Sequence, residues 1–182
     1  MTETLAPVLL LSMPQLQDPN FAKTVVLLCE FMPEGAFGLV LNRPTDEPAS
    51  EMVRLEPPVS GSSGHRLWIG GPVEPQRGWI LLAENPGDED AKLIREGLYL
   101  SSSPALLRRV LEATPPPRAR VLAGYAGWGP GQLDDELAAS SWLMAGVDLD
   151  LIFDVEPSLM WETAIRRLGA DPSSLQMSHG VH

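Results

Sequence analysis

The chain has 182 residues, with 13 Lys plus Arg against 24 Asp plus Glu and a formal charge of −11. A chain of that length buries roughly 70% of its unfolded surface, so it needs neither disulfide nor metal to hold a core, and 44% hydrophobic with 20% charged residues is a globular rather than a disordered composition. The acidic balance argues against nucleic acid or anionic membrane as a main partner, because both call for a basic face.

In chain order, residues 1–13 hold an apolar run at 8–11 with no basic stretch ahead of it and no small-residue pair behind. The run is too short for a signal core or a membrane span, and a cytoplasmic protein is the expectation. Residues 8–13 and 24–30 are rich in Val and Leu and bounded by Pro14 and the Met32-Pro-Glu-Gly35 break, which predicts two strands. Residues 37–41 follow as a hairpin partner, with Gly35 supplying the turn. Cys29 is the only cysteine, which excludes an intramolecular disulfide, a Cys-x-x-Cys pair and a multi-thiolate zinc site. Inside a strand and with no base nearby, it reads as a small hydrophobe rather than a nucleophile.

Asn42-Arg43-Pro44 ends the third strand, since proline cannot donate to a ladder. Residues 45–64 are rich in Pro and Ser and read as a long flexible loop with one helical turn at 49–54. Strands are predicted at 66–69 and 78–82 around Gly70-Gly71-Pro72-Val73, then an acidic turn at 85–90 and a strand at 98–101. Ser103 before Pro104 has the order of an N-cap and a first helical residue, and Leu106, Leu107, Val110 and Leu111 share one face of that helix until Pro115–Pro117 stop it. A strand at 121–124 runs into a glycine-rich segment, followed by a short helix at 132–139. Residues 147–153 alternate apolar residues with aspartates and predict a last, half-buried strand. Pro157 opens a final helix carrying Trp161, Ala164, Ile165 and Leu168, Gly169 ends it, and 170–182 form a tail. Strands outnumber helices about two to one and no βαβ alternation repeats, so the prediction is one α+β domain over 1–182 with a curled, largely antiparallel or mixed sheet.

The glycine-rich segment Gly124-Tyr-Ala-Gly127-Trp-Gly129-Pro-Gly131-Gln132 sits where a phosphate loop would. Gln132 breaks the dinucleotide fingerprint and no Lys-Ser/Thr pair follows, so it reads as a tight turn bringing Trp128 onto the core. Asp134, Asp135 and Glu136 cap the following helix more simply than they hold a metal, because neighbouring helical residues point about 100° apart. His179 and His182, with His65 the only other histidine, make a zinc pair only on an ordered helix, and a loose tail is favoured. Arg43 beside a strand end, with the backbone N–H groups of Gly70 and Gly71, could hold a carboxylate or small anion; ordinary turn chemistry with Arg43 in a structural ion pair is the stronger reading. No serine lies in a Gly-x-Ser-x-Gly elbow. No catalytic residue, metal ligand or cofactor is assigned.

Four segments in this order, 12–21, Gly35-Ala-Phe-Gly-Leu-Val-Leu-Asn-Arg-Pro44, Gly70-Gly-Pro-Val73 and Gly124-Tyr-Ala-Gly-Trp-Gly-Pro-Gly-Gln-Leu-Asp-Asp-Glu136, resemble the YqgE/AlgH family of bacterial proteins. The likeness spans from about Pro7 to the C-terminus and implies a single α+β domain whose bifurcated sheet forms a pseudo-barrel with flanking helices. It implies no activity. One branch of the family is described as a transcriptional regulator, a role the acidic charge does not support through direct DNA contact.

Two functions follow. The favoured one is a non-enzymatic binding or regulatory protein acting through protein or small-ligand contacts. The alternative is a small-molecule enzyme in which Asn42, Arg43, Gln132 and Glu136 converge on a pocket, with Glu136 or Glu30 as acid/base group. The ligand-binding candidates are Asn42, Arg43, Gly70, Gly71, Gln132 and Glu136; the partner is an unknown protein or small molecule.

Overall fold

The computed structural model describes residues 5–14, 16, 18–59 and 64–175. Strands β1 (Val8–Ser12), β2 (Val25–Met32) and β3 (Gly35–Val40) form an antiparallel meander. Their uninterrupted apolar runs are explained by burial on both faces. Leu9, Leu11, Val25, Leu27 and Leu39 enter one core cluster, while Leu10, Val26, Leu28 and Val40 enter another on the opposite side. Each such fully buried aliphatic side chain contributes about 2 kcal/mol.

The sheet continues from β3 to the long strand β9 (Ala119–Trp128), then to β6 (Val73–Leu82), β8 (Leu98–Ser101) and β7 (Lys92–Arg95), and β10 (Trp142–Ala145) adds to β1 at the other edge. Two further strands, β4 (Pro44–Pro48) and β5 (Arg66–Ile69), lie off this path. β5 pairs with β9 in parallel, Leu67 with Val121 through Ile69 with Ala123. β9 therefore has β5 beside its first half and β3 beside residues 126–128, and the sheet divides between these partners.

The division falls at Gly124, whose φ of +79° an L side chain rarely adopts. A Cβ on Gly124 would lie 2.3 Å from Gly71 O, and one on Gly71 would lie 2.1 Å from the Tyr125 carbonyl carbon. Backbone meets backbone here, and only glycine permits it.

Helices cover the sheet. α4 (Leu149–Phe153) and α5 (Pro157–Arg167) close one face through Leu151, Ile152, Met160, Trp161, Ala164 and Ile165. On the other face α2 (Pro104–Glu112) packs Leu106, Val110 and Leu111 against Ile80, Leu82 and Val121, and α3 (Gln132–Ala138) packs Leu133 near Trp128 and Trp142. α1 (Ala49–Met52) is a single turn placing Ala49 in the α2 cluster. Ser103 caps α2, its hydroxyl accepting from the Leu106 N–H at 3.3 Å, and Pro104 opens it. The ladders do not close the sheet, because β7 and β10 remain its edges. Side chains of β7 reach other elements: Lys92 pairs with Glu30 on β2, and Arg95 Nη1 donates at 2.8 Å to Val147 O, just past β10.

Several predicted elements change. The loop expected from Thr45 begins instead as β4, an edge strand that tolerates proline at both ends by pairing only Pro44 with Trp68 and Pro48 with Arg66; the helical turn after it is present as α1. β6 starts at Val73, with a register break before Gly78, and β9 runs on through Trp128, so most of the glycine-rich segment is strand rather than turn. Strands β7 and β10 escape sequence reading because each has four residues and only one of them is buried. Residues 149–153, predicted as strand, are helix α4. Leu151, Ile152 and Phe153 are buried consecutively, which a half-buried strand cannot achieve, and Leu149, Ile152 and Phe153 also fit the i, i+3, i+4 spacing of a helix. In α5 the buried stripe is Met160, Trp161, Ala164 and Ile165, whereas Leu168 is 45% exposed. His179 and His182 lie outside the described residues.

Replacing Gly71 by Ala forces its Cβ into the Tyr125 backbone, and thermal unfolding should report a loss of at least ~2 kcal/mol. Gly78→Ala, where a Cβ meets nothing within 4 Å, should stay within about 0.5 kcal/mol of the parent. Equal melting temperatures for the two variants would contradict the branch-point reading.

Candidate functional site

Where β3 meets β9, Phe37 lies opposite Gly127, and the rings of Phe37, Trp79 and Tyr125 gather at centroid distances of 5.0, 5.1 and 6.2 Å. All three rings are half-buried. They wall a cleft of about 360 Å³ shared with Glu30, Met32, Glu34 and Arg77, and Met32 is 55% exposed. Arg77 lies over the Trp79 ring at 4.5 Å, a cation–π placement. The Tyr125 hydroxyl donates to Glu74 at 2.7 Å, a bond that raises the phenol's pKa. Trp79 Nε1 has no acceptor among the described residues. This cleft mixes aromatic surface with both signs of charge, the composition of a recognition surface.

One register shift organises its floor. Between Leu28 and Glu30 the β2–β3 ladder slips by one, so Cys29 is the extra residue of a bulge. Glu30 is thereby turned outward to Lys92 while Cys29 stays in the core, 7% exposed. Burial pushes the Cys29 thiol up to about 12, against a smaller opposing pull from Lys92. A thiol held there is a packing group.

The residues singled out from sequence occupy two places. Asn42 is 7% exposed and structural in its bonding: Oδ1 accepts from Val25 N–H at 3.0 Å and Nδ2 donates to Lys23 O at 3.0 Å, tying the end of β3 to the start of β2. Arg43 donates to Ala22 O and to Asn42 O at 3.4 Å, and burial lowers its pKa. Arg43 and Gly71 line a common cleft of about 330 Å³ with Ile69 and Pro72. Gly70 N–H, expected to be free for an anion, donates instead to Ala123 O at 2.8 Å.

Gln132 and Glu136 share the second place. Glu136 Oε1 accepts from the indole N–H of Trp128 at 3.0 Å and of Trp142 at 2.8 Å, while Oε2 accepts from Gln132 Nε2 at 3.0 Å. Gln132 Oε1 in turn accepts from Gly129 N–H at 3.0 Å. The i, i+4 spacing on α3 places both side chains over the turn that precedes it. Trp128 pairs with Ala36 at the start of β3, and Asn42 lies six residues further on, a separation of about 20 Å along the strand. The four residues therefore form two clusters at opposite ends of β3. Sequence reading passed over Arg77, Trp79 and Glu74 because the register break in β6 decides where they point. A guanidinium and an indole at i, i+2 on one strand face was the available signal.

A family model described as AlgH-like (DUF179) matches residues 9–173. The chain belongs to the AlgH-like family. A UPF0301 protein of Myxococcus xanthus is 42% identical over 182 residues, covering 99% of each chain, and UPF0301 protein Bpet0561 of Bordetella petrii is 38% identical over 174 residues, covering 94% of this chain and 86% of its own. Among solved structures, the solution structure of the AlgH protein from Pseudomonas aeruginosa superposes with a TM-score of 0.79 at 32% identity, covering 97% of both chains. Protein DIP2367 from Corynebacterium diphtheriae shares the fold with a TM-score of 0.68 at 21% identity, covering 97% of this chain and 92% of that one. Membership of the AlgH-like family agrees with the α+β architecture and its branched sheet. Among the described residues no helix is long and apolar enough to cross a membrane, and no group of three His, Cys, Asp or Glu side chains is placed to hold a metal ion.

Glu136→Leu leaves two buried indole N–H groups without an acceptor and should cost about 3 kcal/mol in denaturant unfolding, whereas Glu136→Gln keeps an acceptor oxygen and should cost about 1 kcal/mol. Matching losses for both variants would show that the carboxylate does not organise the two indoles. Cys29 should react with iodoacetamide at pH 8 about 1,000-fold more slowly in the native protein than after denaturation, given three pH units between about 12 and the ordinary thiol value. Mass spectrometry of quenched samples measures this, and rapid native alkylation contradicts it.

Proposed function

We propose that this protein is a non-enzymatic binding protein whose docking surface is the cleft of Phe37, Trp79 and Tyr125. The observation that carries the reading is the trio of half-exposed, mutually packed aromatic rings beside Arg77 and Met32. Rigid aromatic side chains supply contact area at low entropic cost and dominate binding energy at protein interfaces. The two longest sequence motifs meet there, one bringing Phe37 and the other Tyr125. Glu30, Glu34 and Glu74 around the rings, on a chain of net charge −11, favour a partner segment that places an apolar side chain next to Lys or Arg. Against the enzyme alternative stands the separation of Asn42 and Arg43 from Gln132 and Glu136, because general acid/base work needs hydrogen-bond reach to one shared substrate.

A displayed peptide library panned against the immobilised protein tests this. The expected enrichment is for sequences pairing an aromatic or large aliphatic residue with a basic one, with binding weakened at least tenfold by Tyr125→Ala and by Glu34→Lys and unchanged by Arg166→Gln, which lies outside the cleft lining. Selected peptides that bind these variants as well as the parent, or an absence of enrichment, would remove the proposal.

A further inference from the structure

A second concavity, of about 260 Å³, opens between β5, β9 and the start of α5, lined by His65, Arg66, Trp68, Arg120, Phe153, Asp154 and Glu156. On an acidic chain it gathers cations. Arg66 and Arg120 both lie against the Trp68 ring, at 5.7 and 4.6 Å from its centroid, and Arg118 stacks on Phe153 at 5.1 Å. Parallel pairing of Leu67 with Val121 sets Arg66 and Arg120 side by side on neighbouring strands. Like charges on adjacent strands are destabilising unless something neutral or negative lies between them.

Arg120 is anchored from below. Nη2 donates to Phe153 O at 2.8 Å and to Ile152 O at 3.4 Å, and Nη1 donates to Ala119 O at 3.2 Å. Its Nε is buried without a partner among the described residues, and so is Nε2 of His65. Two buried nitrogens on residues that line one cavity, each lacking a partner among the described residues, are a paired exception to the rule that buried polar groups are satisfied. Burial lowers the pKa of both groups. Arg66 and Arg118 add to the effect on Arg120, which Asp154 partly opposes, and Arg120 adds to that on His65. An anion between them relieves each of these costs. Of the carboxylates in the wall, Asp154 is engaged by Arg118, and Glu156 holds the N-cap position of α5 without a side-chain cap bond; neither bonds to Arg120 Nε or His65 Nε2. The eleven-residue α5 turns its N-terminal end, the positive end of its dipole, toward the cavity through Pro157.

We propose that this cavity binds a small oxyanion, the phosphate or carboxylate group of a small metabolite, received by Arg120 Nε, His65 Nε2 and the Arg66 guanidinium. His65 then carries its proton on Nε2, so that all three groups donate to the anion. The size of the cavity and the occupation of the Trp68 faces by guanidinium groups select a compact ligand over a nucleotide base or an extended peptide. The site is independent of the aromatic cleft.

The test is a titration of the ¹⁵N-labelled full chain at pH 7, following the arginine Nε–Hε resonances. Inorganic phosphate and acetate are added in separate series, with sodium chloride holding ionic strength constant. The expected result is a saturable shift of the Arg120 resonance by at least one of the two anions with a millimolar or lower Kd. His65→Gln and Arg66→Gln should each weaken it at least fivefold, and Arg77→Gln should leave it unchanged. Tighter binding of phosphate identifies a phosphorylated ligand and tighter binding of acetate a carboxylic acid. A shift that only grows in proportion to concentration and matches that given by chloride overturns the proposal. So does saturable binding that survives both cleft substitutions, and because these variants leave the anchoring bonds of Arg120 intact, their spectra also report whether the fold is retained.

Discussion

The close approach of Gly70-Gly71 to Gly124-Tyr125 is the constraint on which the architecture rests. It lets one edge of β9 serve two partners, β5 along the first half and β3 along the second. Every other placement follows from that division. One branch carries the meander of β1 to β3 with α3 behind it, the other is covered by α2, and α4 with α5 fills the face common to both. A side chain at either glycine would hold the strands apart by an atom's width, and packed interiors do not absorb such a change locally.

The same constraint explains what the motif residues are for. Asn42 ties two strand ends, Glu136 gathers two indoles, and the diglycine makes the branch. Specific polar residues in these segments are occupied by the scaffold. Neighbours of the motifs line the two concavities, Trp79 and Arg77 in one and Arg66 and Arg120 in the other.

Much of the fold was legible in the sequence because local chemistry and tertiary packing agree there. The Val- and Leu-rich runs of β1 and β2, the Ser103-Pro104 cap of α2 and the Pro157 start of α5 stand as read. Failures fall where packing overrides pattern. Alternating aspartates from 147 to 153 imitate a strand, but three consecutive buried residues demand a helix. Prolines 44 and 48 suggest a loop, yet an edge position with few ladder bonds accommodates both. Neither cleft could be read from spacing, since the aromatic one depends on two register breaks, in β2 and β6, and the basic one on parallel pairing between residues more than fifty positions apart.

The unclosed edge between β7 and β10 has a mechanical meaning. A continuous barrel resists widening with a full row of backbone bonds, each of which must break at once. Here β7 is held instead by side chains, through the Lys92–Glu30 pair to β2 and the Arg95 bond to Val147 O just past β10, exposed contacts of about 1 kcal/mol or less apiece. Raised ionic strength therefore weakens the Lys92–Glu30 contact of this edge and leaves the uncharged backbone approach at Gly124 untouched.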